Sequence, residues 1–160
     1  ARSWARTGTP VVREYQQEYF TRVGVVLDTD TDDPERLEAA VEIAAGVVAN
    51  LSRGEALVDV LVVGDTVHEL TLGRSLGRLD QALDLLASVD RGPPASAGAV
   101  LRRLSPYLER LSGLVVIALA EDEERRAVAG AAAQRGIACT SIVVAEALAR
   151  AARAGEELVF

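Results

Sequence analysis

The chain has 160 residues, a length that suits one compact domain. Its formal net charge of −7 argues against non-specific binding to nucleic acid or to anionic membrane surfaces, and all its basic residues are Arg. No apolar stretch approaches the ~20 residues that span a bilayer, no secretory leader is visible, and the single Cys139 forms no internal disulfide, so a reducing, cytoplasmic setting is expected.

Residues 1–22 open in mid-pattern and without Met, and are read as a segment continuing from an upstream region; residues 23–160 are read as the domain. Four runs, Val23–Leu27, Leu57–Val63, Leu114–Ala120 and Ile137–Val144, are short, rich in β-branched residues and barely interrupted by polar ones. Strands buried on both faces of a parallel sheet read this way. In Pro34–Arg53, Leu37, Val41, Ala44, Val48 and Leu51 recur at intervals of three and four and make one apolar helical face. Asp33 suits the N-cap, Pro34 the first turn and Gly54 the stop. The turn signal Gly64-Asp65 sends a short strand, Thr66–Leu72, back antiparallel as a sheet edge. Leu76–Val89, Ala97–Leu111, Glu121–Arg135 and Ala145–Ala154 are read as further helices. The resulting order predicts a doubly wound, mostly parallel α/β sheet with one antiparallel edge strand.

That order has a geometric consequence. Following the chain up and down the sheet brings Asp28–Asp33, the loop carrying Ser96, and Glu121 and Asp122 to the carboxyl end of the strands. Ligand sites of parallel sheets lie at that end.

The stretch Asp28-Thr29-Asp30-Thr31-Asp32-Asp33 puts four carboxylates in six positions, and three readings compete for it. An apolar strand followed by Asp28-x-Asp30 resembles the first motif of the haloacid dehalogenase superfamily. The resemblance implies a magnesium-dependent phosphohydrolase with Asp28 as nucleophile and Asp30 as acid and base. Such enzymes generally need a Lys, and none is present. Alternatively, Asp28-x-Asp30-x-Asp32 occupies the spacing of Asp-x-Ser-x-Ser, the first part of the metal-ion-dependent adhesion site in von Willebrand factor A domains. The resemblance implies a von Willebrand factor A-like fold, with Ser96 on a top loop and Asp122 after the fourth strand completing a magnesium or calcium site. The bland reading is that Asp33 and its neighbours cap a helix and complement its dipole, each by ~0.3–1 kcal/mol.

The run Ala5-Arg6-Thr7-Gly8, then Val12-Arg13-Glu14-Tyr15, then a hydrophobic strand ending in Asp28-Thr29, resembles a bacterial von Willebrand factor A-like family, domain of unknown function number fifty-eight. This likeness runs from about Ala5 to the strand at Ile137. It implies a protein-interaction module rather than an enzyme, partnered by a MoxR-type AAA+ ATPase in assembling or activating other proteins, and a full-length protein that carries membrane-spanning segments. No organic cofactor is implied. Here both hydroxyl positions of the first adhesion motif are carboxylates, so the site is expected to be degenerate and to repel an acidic partner residue. Without metal, at least one of these carboxylates should have a raised pKa. His68, the one histidine, is expected to be structural, and Cys139 to act as a small core residue.

Overall fold

A computed structural model describes residues 21–73, 77–92 and 98–154 of the chain. The elements run β1 (Arg22–Asp28), α1 (Pro34–Leu51), β2 (Leu57–Val63), β3 (Val67–Leu72), α2 (Gly77–Ala87), α3 (Ala99–Leu108), β4 (Gly113–Ala118), α4 (Glu123–Gln134), β5 (Ala138–Val143) and α5 (Val144–Ala154). The five strands form one sheet in the order β3-β2-β1-β4-β5. β1, the first strand among the described residues, lies in the middle, paired parallel with β2 (Val25↔Val60) and with β4 (Val25↔Val115). β4 pairs parallel with β5, and β3 alone runs antiparallel, against β2 (Val60↔Leu70). The predicted α/β architecture and its reversed edge strand are thus present.

Alternate residues of the central strands feed two apolar cores, as the two-residue period of a strand requires. On one face Val25, Leu27, Val58, Val60, Val62 and Ile117 meet α1, α2 and the first residue of α5. On the other, Val26, Leu61, Val63, Leu114 and Val116 meet α3 and α4. This two-sided burial is why these strands read as continuous apolar runs.

α1 begins as predicted. The Asp33 carboxylate accepts N–H bonds from Glu35 (3.0 Å) and Arg36 (3.3 Å), and Pro34 occupies the first turn. Leu37, Ala40, Ala44 and Val48 are its buried face. Most boundaries shift by one or two residues from expectation, and two have a plain cause. α4 starts at Glu123, not Glu121, because the Asp122 side chain is the cap and accepts the Arg125 N–H at 2.9 Å. α3 ends at Leu108, with Pro106 inside its last turn, rather than continuing to Leu111.

At the base of the sheet a charge is buried. Asp59, on β2, is fully enclosed. Its carboxylate accepts two bonds from Arg22, from Nε at 2.7 Å and Nη2 at 3.0 Å, and one from the Thr71 hydroxyl at 2.6 Å. Arg110 Nε lies 3.3 Å away, and the same guanidinium pairs with Glu69 and stacks over the Tyr107 ring. Burial pushes the Asp59 carboxyl up, but the bonds from Arg22 and Thr71 and the two guanidinium charges outweigh it and hold the group below the usual carboxylate range. Arg22 is held correspondingly high by its bond to Asp59.

Candidate functional site

The acidic loop follows directly from the end of β1. Asp28, half-buried, is the last residue of that strand, and its carboxylate accepts the Asp30 N–H at 3.1 Å. Thr29 turns inward and is 2% exposed, and its hydroxyl donates to the Val63 carbonyl at the end of β2 (2.9 Å). The Thr29 carbonyl accepts N–H bonds from Thr31 (3.0 Å) and Gly92 (2.9 Å). Thr31 Oγ1 accepts the Asp33 N–H at 3.1 Å, and Arg91 donates to the Asp32 carbonyl at 3.1 Å. Two strand ends and the loop after α2 are therefore fastened through one buried threonine.

Gly92 is needed for this fastening. A Cβ there would lie 2.3 Å from Thr29 Oγ1, far inside contact distance. Gly92→Ala is expected to displace Thr29 from Val63 and to cost about 1–3 kcal/mol, read as a lowered urea midpoint. A midpoint equal to wild type would show that Thr29 does not hold the rim.

The opposite side of the site is the start of α4. Glu121 pairs with Arg125 and with Arg126 (3.4 Å), and the Arg125 bond, reinforced by both positive charges, keeps the Glu121 carboxyl below its ordinary value. The Glu124 carboxylate accepts the N–H of Gly98, the α3 cap residue, which takes the left-handed conformation (φ 77°) and has no side chain of its own for the task. Among the described residues, Glu124 Oε2 and Arg125 Nε are buried without a hydrogen-bond partner. Asp28, Asp122, Glu124 and Arg125 line one small pocket, closed below by apolar side chains including Val26, Val100 and Val116. Burial pushes the Asp28 carboxyl up to about 6, and the negative charges of Asp30 and Asp122 add to it; the Asp30 N–H bond pulls the other way. The expected raised pKa falls on Asp28.

Asp28 and Asp122 are brought together, whereas the Asp30 and Asp32 side chains stand on the exposed outside of the loop. Ser96 lies outside the described residues. Among the described residues, no group of three or more His, Cys, Asp or Glu side chains is close enough to hold a metal ion. The donors present are hard oxygens of the kind magnesium and calcium take, and three carboxylates, Asp28, Asp122 and Glu124, line the pocket. His68 is exposed on β3, and Cys139 packs half-buried against the second core, with burial raising its thiol pKa. Sequence reasoning missed Asp59, although a lone Asp within an apolar strand was a usable sign. It also missed a cleft of about 460 Å³ beside the loop, between the β2–β3 turn and the end of α2. No helix among the described residues is long and apolar enough to cross a membrane.

No family model matches the chain, and no curated protein does. Solved structures do. The chain is similar to the conserved hypothetical protein BatB from Bacteroides thetaiotaomicron, with 21% identity and a TM-score of 0.52, over 77% of this chain and 66% of that one. It is also similar to an aerotolerance-related membrane protein from Bacteroides fragilis, with 19% identity and a TM-score of 0.52, over 77% and 67% of the two chains. Proximal thread matrix protein 1 from the mussel byssus shares 10% identity with a TM-score of 0.53, over 77% of this chain and 37% of its own. At these identities the likeness is one of fold. The chain has a von Willebrand factor A-like α/β fold, with four co-directional strands, one reversed edge strand and helices on both faces.

Proposed function

We propose that this domain is a non-catalytic protein-interaction module that works with a MoxR-type AAA+ ATPase in assembling or activating other proteins. In this reading the rim works in the cytoplasm, on a full-length protein anchored in a membrane. A neighbour of the same fold is itself described as a membrane protein, which is compatible with that placement. The observation that carries the reading is Asp28, half-buried at the end of the central strand and sharing a pocket with Asp122. In a von Willebrand factor A-like fold that is the position of the adhesion site, here in a degenerate form. Asp28 and Asp122 would hold a magnesium or calcium ion, with Asp30 and Asp32 adding negative charge from the outside of the loop. The ion would supply the positive charge that the half-buried Asp28 carboxylate lacks. Because its charge is more than cancelled, it does not recruit an acidic residue from the partner.

Addition of calcium or magnesium is expected to raise the melting temperature of the wild type but not of Asp28→Ala/Asp122→Ala. Equal shifts in both proteins would remove the ion from the account. With magnesium and p-nitrophenyl phosphate no turnover is expected. Turnover abolished by Asp28→Asn would replace the module with a phosphohydrolase.

A further inference from the structure

We propose that the cleft beside the acidic loop receives an arginine side chain from the protein partner; this rests on the interaction-module reading and names the chemistry of the contact. The cleft, of about 460 Å³, lies within the ~300–1,000 Å³ typical of ligand pockets. Val62, Leu85 and Val89 supply an apolar part of its wall, suited to the methylene stem of a long side chain. Asp65, in the β2–β3 turn, and Asp90, after α2, are both exposed and both line it. Neither enters an ion pair among the described residues. α2 also ends here: the Ser88 N–H bonds back to the Asp84 and Leu85 carbonyls, and Ser88 and Val89 line the cavity. The negative end of that helix dipole therefore adds to the two carboxylates.

Against these stand Arg91 and the imidazole of His68, which line the same cleft, but the Arg91 guanidinium already donates to the Asp32 carbonyl, beside the four carboxylates of the loop. The balance is negative, and the cavity combines an apolar stem site with two exposed carboxylates in its lining. A planar guanidinium that can bond two carboxylates suits it better than the point charge of an ammonium. An acidic side chain would meet like charge.

The test is an amide NMR titration of the full ¹⁵N-labelled chain with acetyl-Gly-Arg-Gly-amide, and separately with acetyl-Gly-Glu-Gly-amide. The arginine peptide is expected to shift the amides of Gly64–His68 and Ser88–Gly92 saturably, and Asp65→Asn/Asp90→Asn to weaken it at least tenfold. Both positions are exposed and leave the core untouched. Equal shifts from the glutamate peptide, or undiminished binding by the double variant, would overturn the cleft. A second arm separates this inference from the reading beneath it. If the MoxR-type ATPase binds wild type and Asp65→Asn/Asp90→Asn equally, the cleft is overturned and the module stands. If the ATPase binds neither while the arginine peptide behaves as expected, the cleft stands and the ATPase partnership falls.

Discussion

Asp28→Asn is expected to melt roughly 5–10 °C above wild type at pH 7.5 in the presence of a chelator, and at nearly the same temperature as wild type at pH 4. The Asp28 carboxyl rises from 3.8 in the unfolded chain to about 6 in the fold. A raised acid binds its proton more tightly when folded, so the folded state carries more protons between these two values. Stability therefore falls as pH rises through that window, and above pH 6 the charged Asp28 costs about 3 kcal/mol. Asparagine removes the charge and keeps an oxygen for the Asp30 N–H. For a domain of this size about 3 kcal/mol corresponds to the stated shift in melting temperature. Thermal unfolding followed by circular dichroism at the two pH values decides the matter. A gain of the same size at pH 4 would assign the effect to packing rather than to charge.

The second large effect lies at the other end of the sheet. Arg22→Ala is expected to cost about 2–3 kcal/mol, because it strips two hydrogen bonds from a carboxylate that is fully enclosed. Asp59→Asn should cost less. It leaves Arg22 and Arg110, whose side chains are 28% and 35% exposed, and both can reach water. Combining the two changes should then recover part of the loss seen in Arg22→Ala alone, since no buried charge remains without its partner. Urea unfolding of the four proteins measures this directly. A double variant less stable than Arg22→Ala would mean that the asparagine disrupts packing and that charge is not the dominant cost. Asp59 also has the opposite pH sign to Asp28. Its depressed value adds stability above the ordinary carboxylate range, and that contribution is lost as pH falls through the folded value.

The parts of this molecule that could be read in advance are those governed by neighbours in sequence. The β-branched runs became the four parallel strands, and Gly64-Asp65 became the reversal into β3. Of the three-and-four series Leu37, Val41, Ala44, Val48 and Leu51, Leu37, Ala44 and Val48 are buried on α1 and Val41 and Leu51 are half-buried. The gathering of Asp28 and Asp122 followed from strand direction alone. What was not legible depends on side chains that meet only after folding. Arg22, Asp59, Thr71 and Arg110 come from separate elements, and no local pattern announces their convergence. Four carboxylates in six residues suggest a converging cluster, yet the inward turn of Thr29, tied to Val63 and Gly92, accompanies outward-facing Asp30 and Asp32. The role of Asp122 as a helix cap moved the start of α4 by two residues.

The central position of β1 has a consequence for how the chain is made. Its two partners arrive late: Val23 pairs with Val58 and, on its other edge, with Gly113. A ribosome therefore releases this apolar strand long before the residues that cover its second edge exist. Pairings so distant in sequence close slowly, and an uncovered strand in the interval is open to the wrong neighbour. Nascent chains that stop short of Gly113 should need a holding chaperone, whereas chains that extend past Ala118 can complete the sheet's middle by themselves.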